Sequence, residues 1–347
     1  MRIILVNWAF EDHGSAQDLS NYVWVGKALG HDIALYGRGQ VSAGLDGSLD
    51  VTSADAVVFI FEYSTYVEAL DAARLVSSVP RGRRVVLDCD GGYNDAIRVN
   101  GDVNHADAAA GERWVEVCDS LSDKIFQPTF HPLRPNVGSF FFHAYNPAWE
   151  APFDPRGKDY GMCYVGNTWF RWRGMRQVLR AVEPVRDRVG RILLIGRGWD
   201  GDGPWAGLSP APEAYATDPK YLRRLGVDVS PPVPFHRVIE CMGKGTFMPV
   251  IYRPLFDHLQ LVTCRTFETP AANTIPLFCQ EPDFVAEVYG EEAVALVLPP
   301  DDPHERILEL VERPEAYVPV VEGIRRRLRE RYSYAAQLRQ LVEIIRS

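Results

Sequence analysis

The sequence has no Cys-x-x-Cys pair, no long apolar run and no excess of basic residues, and each absence excludes a class of protein. Its six cysteines stand singly, without metal-site spacing, so we expect reduced thiols and a cytoplasmic protein. No stretch reaches the roughly 18 apolar residues of a membrane-spanning helix. Lys and Arg number 37 against 46 Asp and Glu, and the net charge of −9 makes nucleic acid an unlikely partner.

What the chain does contain is a series of short apolar runs that alternate with helical patterns. Its 347 residues exceed the size at which one hydrophobic core stops growing, so we expect two domains. Strands alternating with helices predict the α/β class, with parallel sheets that bind ligands at the carboxyl ends of their strands. The predicted strands are Ile3–Val6, Asp32–Tyr36, Ala56–Phe61, Val85–Asp88 and Lys124–Gln127, then Gly161–Val165, Ile192–Ile195, Phe247–Tyr252, Ile275–Phe278 and Val294–Leu298.

A proline-rich segment divides the chain. Tyr145–Tyr160 carries three prolines and charges of both signs, which is typical of an exposed linker. We therefore predict an N-terminal domain at 1–150, a second domain at 151–325 and a closing C-terminal helix at 326–347 that packs across both. The basic run Arg325–Arg331 is predicted to be a solvated helix face.

The most informative window is TCRTFETPAANTIPLF, Thr263–Phe278. It is interpreted as a loop or strand ending at Arg265, an acidic Glu268 near a helix start, a turn at Asn273 and a further strand. A helix N-terminus and an arginine favour a diphosphate, and a carboxylate can accept hydrogen bonds from ribose hydroxyls. The alternatives are a carboxylate that only caps the helix and an arginine in an ordinary ion pair.

This window resembles the donor-binding stretch of group 1 glycosyltransferases, in particular the spore-maturation-type branch with its R-x-F-E motif. The resemblance implies two Rossmann-like domains facing a central cleft (the GT-B architecture), with Glu268 on the donor ribose and Arg265 at the diphosphate. The family's glycine falls on Asn273, which tolerates a left-handed backbone, and Thr274 follows it in the donor segment. An acidic residue of the family is replaced by Gln260, which leaves retention or inversion of configuration open.

Two further segments resemble donor-side turns of the same family. The opening strand of the second domain ends in Gly166 and Asn167, and a basic residue beyond it, Arg173 in preference to Arg171, is expected to hold phosphate. The run LLIGRGWD places Arg197 in a glycine turn after a strand. These arginines have the alternative of stacking on tryptophan or lying at the surface.

On the acceptor side, polar residues follow two strands of the first domain. His13 and Gly14 come after the first strand, where glycine permits close approach of a ligand. Asp88 and Asp90 follow the fourth. His13 and Asp90 are the candidates for a general base on an acceptor hydroxyl, against the alternatives of a solvated histidine and an ordinary Asp-Gly-Gly turn. No metal site is expected.

The resemblance therefore implies a glycosyltransferase that moves a sugar from a nucleotide-diphosphate sugar to a hydroxyl, without metal or bound cofactor. The acceptor is expected to be a small molecule, and the arginine- and alanine-rich composition suggests a bacterial biosynthetic enzyme. A homodimer is left open. The alternatives are a nucleotide-sugar 2-epimerase, a catalytically inert transferase-like binding module, and a DNA-modifying transferase, which salt-sensitive binding to duplex DNA would reveal.

Overall fold

A computed structural model of the protein describes residues 1–9, 14–39, 41, 43–62, 76–201 and 212–347. It contains two parallel sheets flanked by helices, in agreement with the predicted α/β class. The first sheet has the order β2-β1-β3-β4-β7-β8 and the second the order β11-β10-β9-β12-β13; β5 and β6 form a small antiparallel pair. The strands are β1 (Arg2–Ala9), β2 (Asp32–Gly39), β3 (Ala56–Phe61), β4 (Arg84–Asp88), β5 (Arg98–Val99), β6 (Asp102–Val103), β7 (Ile125–Gln127), β8 (Val137–Ser139), β9 (Tyr160–Val165), β10 (Ile192–Ile195), β11 (Val227–Ser230), β12 (Gly245–Val250) and β13 (Ile275–Phe278).

Helices connect these strands and bury one face on the sheets. The labelled α-helices are α1 (Gly14–Ala28), α2 (Ala108–Leu121), α3 (Trp172–Val182), α4 (Arg186–Val189), α5 (Pro219–Arg224), α6 (Val238–Met242), α7 (Pro254–His258), α8 (Cys264–Ala271), α9 (Pro282–Tyr289), α10 (Pro303–Glu312), α11 (Val318–Tyr332) and α12 (Tyr334–Arg346). In both sheets the strand order reverses direction beside the first strand of that half, β1 and β9. Ligands of open α/β sheets bind at the carboxyl ends of the strands near such a reversal.

The fully apolar predicted strands occur where expected, and the differences lie at the edges of the sheets. Every residue of β3, β10 and β13 is buried, which explains their continuous apolar runs. The edge strand β11 was not predicted because its middle is exposed and carries Asp228. The strand predicted at Val294–Leu298 is wrong: Glu291–Leu296 forms a 3-10 helix, and Val297 alone bridges to Phe278.

The chain passes between the halves twice, and the two passages touch. The amide of Tyr145 donates to the carbonyl of Tyr332 at 2.8 Å. At Ser333 the C-terminal segment breaks into two helices, and one or two were expected there. Helix α11 packs into the core of the second half, whereas Leu338 and Leu341 of α12 pack into the core of the first. The last helix therefore belongs to the first half by contact.

Arg325 corrects the prediction of a solvated arginine face. Its side chain is buried, and it donates to the carbonyls of Pro270, Ala271 and Ala272 at 2.8–3.2 Å. These carbonyls lie at the C-terminal end of α8, where a helix leaves acceptors unpaired and where a cation is favourable. Arg325 therefore fixes the end of the helix that carries the R-x-F-E motif.

A buried ion pair joins the two halves at a second place. Arg253, at the start of α7, donates Nε to Oδ2 of Asp102 at 2.9 Å and a second nitrogen to Oδ1, while the amide of Leu255 donates to Oδ2 at 3.1 Å. The guanidinium also lies over the ring of Phe256, at 4.7 Å from its centroid. Because Asp102 is fully buried, removing either charge would leave the other without its partner, which is costly in free energy.

The last features of the fold are its cysteines and the length of its helices. All six cysteines are free thiols, and four of them are buried. No helix within the described residues is long and apolar enough to cross a membrane.

Candidate functional site

Two cavities open at the carboxyl ends of the strands, and the larger lies between the halves. It has a volume of about 660 Å³, within the range of small-molecule sites. One wall is formed by the carboxyl ends of β9 and β10 and by Arg265 of α8, and the other by the first turns of α1. Trp24 of α1 stands at this cavity with 57% of its surface exposed. The polar and aromatic residues lining it are Gln17, Ser20, Asn21, Trp24, Trp149, Asn167, Arg197, Phe235, His236 and Arg265.

The charges around the larger cavity have one sign. Arg197 and Arg265 are cationic, His236 becomes so when protonated, and the described lining residues include no Asp or Glu. This contrasts with a chain whose net charge is −9. A cavity with two arginines and no carboxylate is suited to an anionic ligand such as a diphosphate.

The glycine turns predicted on the donor side hold this wall together. Gly196 has φ +149°, and a Cβ there would lie 2.2 Å from the carbonyl oxygen of Gly166, so the two turns pack backbone to backbone. The amide of Arg197 donates to Oδ1 of Asn167 at 2.8 Å, and Trp199 donates to the carbonyl of Gly166 at the same distance. Gly166, Asn167 and Arg197 are therefore brought together at the cavity, and their role in donor binding stays a prediction.

Helix α8 begins earlier than the sequence suggested. It starts at Cys264, with the amide of Thr263 donating to Oγ1 of Thr266 at 3.0 Å, so Arg265 and Glu268 both lie on the helix and not before it. They are one turn apart, and Nη1 of Arg265 is 3.5 Å from Oε2 of Glu268. The unpaired amides of α8 therefore lie at Cys264, beside Arg265.

Glu268 is buried without hydrogen bonds. It is 1% exposed, and neither carboxylate oxygen has a hydrogen-bond partner among the residues that the structure describes. Burial raises the pKa of Glu268, and the charge of Arg265 opposes that shift. Because a buried carboxylate without hydrogen bonds is costly, its presence calls for a partner that binds to it.

Asn273 and Thr274 lie elsewhere. Helix α8 ends at Ala271, so both residues are at its far end, next to the start of β13. Asn273 does not adopt the left-handed backbone expected of it, and its Oδ1 accepts from the amide of Asp154 at 2.8 Å. Gln260 takes that conformation instead, with φ +50° after α7. Asn273 and Thr274 are not among the described residues that line the larger cavity.

Arg173 also lies outside the larger cavity. Its Nη1 donates to Oδ1 of Asn100 at 2.5 Å, in a separate surface depression with Trp172 and Pro254. The physical reason is that Arg173 lies on the first turn of α3, and from there its side chain extends toward Asn100 in the first half. Arg197, not Arg173, is the second arginine at the larger cavity.

The acceptor-side aspartates separate into two roles. Asp88 is buried and accepts from the amides of Gly92 and Tyr93 and from Gln127 at 2.7–2.9 Å, so it fixes the turn, as the alternative interpretation held. Asp90 lines the smaller cavity, of about 190 Å³. Glu62 lies beside it in the same cavity and was not predicted from the sequence. Glu62 directly follows β3, just as Asp88 is the last residue of β4, so both carboxylates lie at the carboxyl ends of strands.

The pKa of Glu62 is shifted toward neutrality. Burial raises its pKa; His143 opposes the shift, Asp90 adds to it, and the pKa is about 7. A base whose pKa is near the working pH is present in its deprotonated form and still binds a proton strongly. The same rule that selected Asp90, a carboxylate at the carboxyl end of a strand, would have found Glu62.

His143 connects Glu62 to helix α1. Its Nε2 is 3.8 Å from Oε1 of Glu62, and its Nδ1 is 2.8 Å from Oδ2 of Asp18. The other oxygen of Asp18, Oδ1, accepts from the hydroxyl of Tyr334 at 2.5 Å. Burial lowers the pKa of His143, but Asp18, Glu62 and Glu268 outweigh burial and raise it to about 9. The imidazolium thus sits in a buried acidic cluster.

This cluster predicts a pH dependence of stability. The pKa of His143 rises from its ordinary 6.5 to about 9 on folding, so its contribution is fully present below pH 6.5 and is lost as the pH rises through 9. Between pH 6.5 and 9 the free energy of unfolding should fall by about 2–3 kcal/mol more in the native protein than in His143→Gln. Urea unfolding at both pH values measures this, and equal slopes for the two proteins would contradict it.

The two remaining predicted residues are His13 and Gly14. His13 lies outside the described residues. Gly14 begins α1, and a Cβ there would lie 3.0 Å from Sγ of Cys264, so its lack of a side chain lets the starts of α1 and α8 approach closely. The close approach that the structure shows at Gly14 is between the two halves of the chain, and the predicted approach of a ligand stays a prediction.

Comparison with known proteins addresses the family. Residues 175–343 match the model of a family described as glycosyl transferase-like. The match lies in the second half of the chain. The predicted enzyme class, a glycosyltransferase, is thereby confirmed. No curated protein matches the sequence.

Solved glycosyltransferases share the fold along the whole chain. An α-glucosyltransferase in complex with UDP has a TM-score of 0.67 at 14% identity, with 100% of both chains covered. The β-glucosyltransferase of T4 phage in complex with its UDP-glucose substrate has a TM-score of 0.61 at 13% identity, with 99% of both chains covered. A third structure holds an α-glucosyltransferase with UDP and a 13-mer DNA, at a TM-score of 0.65 and 14% identity over 100% of both chains. The predicted two-domain glycosyltransferase fold is confirmed.

Proposed function

We propose that the protein transfers a glycosyl group from a nucleotide-diphosphate sugar to a hydroxyl of a small molecule. The observation that carries the proposal is the larger cavity, lined by Arg197 and Arg265 without a carboxylate among its described residues, at the carboxyl ends of β9 and β10. The complexes of its structural neighbours with UDP and UDP-glucose favour a uridine donor. In this proposal residues 151–325 form the donor domain, residues 1–150 the acceptor domain, and 326–347 the closing segment.

In this proposal the donor is held by the R-x-F-E stretch and by the glycine turn that follows β10. Its diphosphate accepts from Arg265, Arg197 and the amides at the start of α8, and its ribose hydroxyls donate to Glu268. For this, Arg265 moves from its ion pair toward the phosphates, which uncovers the carboxylate of Glu268. The arginines then stabilise the negative charge that develops on the departing diphosphate, without a metal ion.

The transfer step uses the carboxylates of the first half. The acceptor oxygen forms a bond to the anomeric carbon. At the same time the bond between that carbon and the β-phosphate oxygen breaks, and the electron pair of the broken bond leaves with the nucleoside diphosphate. Glu62 takes the hydroxyl proton. Asp90 orients the acceptor and keeps the pKa of Glu62 high. The R-x-F-E stretch supports assignment to the spore-maturation-type branch.

DNA is the alternative acceptor, since one structural neighbour is described as a DNA-modifying enzyme. We favour a small molecule because the net charge of −9 and the carboxylates Glu62 and Asp90 oppose a phosphate backbone.

Thermal shifts with UDP, GDP, ADP and TDP test the donor site, because a ligand that binds only the native state raises the melting temperature. One nucleotide should stabilise the native protein selectively. Glu268→Gln should weaken its affinity on the order of 30- to 100-fold, since it removes a charged acceptor of hydrogen bonds. Titration calorimetry measures the dissociation constants.

Glu305→Gln is the matched control, because Glu305 is exposed on α10. It should bind the nucleotide like the native protein. The absence of a shift with every nucleotide, or equal affinity in Glu268→Gln, would refute the donor site.

A further inference from the structure

Trp24 differs from every other aromatic residue that the structure describes, because its side chain is largely exposed. It is 57% exposed, whereas the other described Phe, Tyr and Trp residues are buried or half-buried. Its sequence neighbours Val23 and Val25 pack against the core of the first half, but Trp24 belongs to none of the hydrophobic clusters that the described residues form. Packing of the cores therefore does not account for this indole.

The position of Trp24 on α1 places it at the larger cavity. The residues of α1 that line this cavity recur every four positions on one face of the helix: Ala16, Gln17, Ser20, Asn21 and Trp24. Gly14 lies against Cys264 at the start of α8, and from Gly14 to Trp24 an α-helix rises by about 15 Å. The cavity therefore extends along α1 away from the start of α8 and reaches Trp24.

A second helical segment leads away from α8 along the opposite wall. Nη1 of Arg265 is 3.8 Å from Sδ of Met242, the last residue of α6. Phe235 and His236 begin the helical segment that ends at Met242, and a segment of this length spans roughly 10 Å. Both line the same cavity as Trp24. The cavity therefore has a cation, Arg265, at the start of α8 and aromatic side chains farther from it on both walls.

This arrangement matches the two chemical parts of a nucleoside diphosphate. The diphosphate is anionic and suits an arginine beside a helix N-terminus. The base is a flat ring, and indole faces stack on such rings. Every nucleobase has a π face, so stacking holds a base without distinguishing one base from another.

We propose that Trp24 is the stacking platform for the base of the donor nucleotide, so that the first half supplies part of the donor site. This rests on the proposed function and extends it, since the donor was there assigned to residues 151–325. Trp24 contributes affinity for any nucleotide. The choice among bases belongs to contacts that the second half makes with the edges of the base.

Titration calorimetry with nucleoside diphosphates and with inorganic pyrophosphate tests the role of Trp24. Trp24→Ala should weaken binding of the nucleotide that the native protein prefers by on the order of 10- to 100-fold, the usual effect of removing one base-stacking side chain. The loss should be similar for each nucleotide with measurable affinity, so the order of preference stays the same. Pyrophosphate has the charge but no base, and its affinity should not change. Trp24→Phe should retain most of the nucleotide affinity, because it keeps an aromatic face.

Leu133→Ala is the matched control. Leu133 is also a large, exposed apolar residue of the first half, and it lines neither cavity. It should bind nucleotides like the native protein. Because Trp24 and Leu133 are both exposed, the melting temperature without ligand should be nearly unchanged in all three variants.

The outcomes separate this inference from the proposed function. Native nucleotide affinity in Trp24→Ala, or equal losses in Trp24→Ala and Trp24→Phe, would overturn the inference alone. A loss of pyrophosphate affinity as large as that of nucleotide affinity would also overturn it, since Trp24 would then act on the cationic part of the site. If the native protein bound no nucleotide, the proposed function itself would fail.

Discussion

Replacing Glu62 by glutamine should slow glycosyl transfer by about 1,000-fold, because general-base catalysis contributes on the order of 10²–10⁴. The amide keeps the shape of the side chain but cannot take the proton of the acceptor. Donor affinity should change little, since in the proposed function the diphosphate binds at Arg197 and Arg265. Single-turnover rates with saturating donor separate the chemical step from binding.

The pH profile identifies the group. With a pKa of about 7, Glu62 must lose its proton to act, so the native rate should rise with pH up to about 7 and then level off. Asp90→Asn should move this limb to lower pH, because the charge of Asp90 raises the pKa of Glu62. Glu116→Gln, on the exposed face of α2, serves as control. A full rate in Glu62→Gln would eliminate Glu62 as the base.

Truncating Arg253 to alanine should lower the free energy of unfolding by about 3–5 kcal/mol, the cost of leaving a buried charge without its partner. Asp102 is fully buried and, among the residues that the structure describes, would retain as hydrogen-bond donor to its side chain only the amide of Leu255. Urea-induced unfolding followed by circular dichroism measures the loss.

Two further variants test whether the unpaired, buried charge of Asp102 causes the loss of stability. The double variant Asp102→Asn with Arg253→Met should recover much of the stability, because asparagine can still accept from Leu255 and methionine fills the space beside Phe256. Arg191→Ala breaks an exposed pair with Asp228 and should change stability little. Equal losses in the single and double variants would argue against this account.

Much of the fold could be predicted from local pattern. Strands such as Ala56–Phe61 and Ile275–Phe278 are continuous apolar runs because both faces are buried. The 3-10 helix at Glu291–Leu296 was mistaken for a strand because a short apolar run fits either structure. The start of α8 was misplaced because Thr263 and Thr266 close it together, without the Ser-x-x-Glu signal.

The site was only partly predictable. Gly166, Asn167, Arg197 and Arg265 are brought to one cavity because they follow strands or begin a helix at one edge of the sheet. His143 could not be found that way: it lies beyond the edge strand β8, in the segment that leaves the first half, and its partner Asp18 is 125 residues away in sequence. Contacts made only by tertiary folding leave no local pattern.

The path of the last helix matters for anyone who would exchange donor specificities by grafting halves between enzymes. Helix α12 fills the core of the first half with Tyr334, Leu338 and Leu341, although it follows the second half in sequence. A chimaera cut only at the linker would give the acceptor half a foreign C-terminal helix and disturb its packing. The transplantable donor cassette therefore ends at Ser333, and the recipient must keep its own residues 334–347.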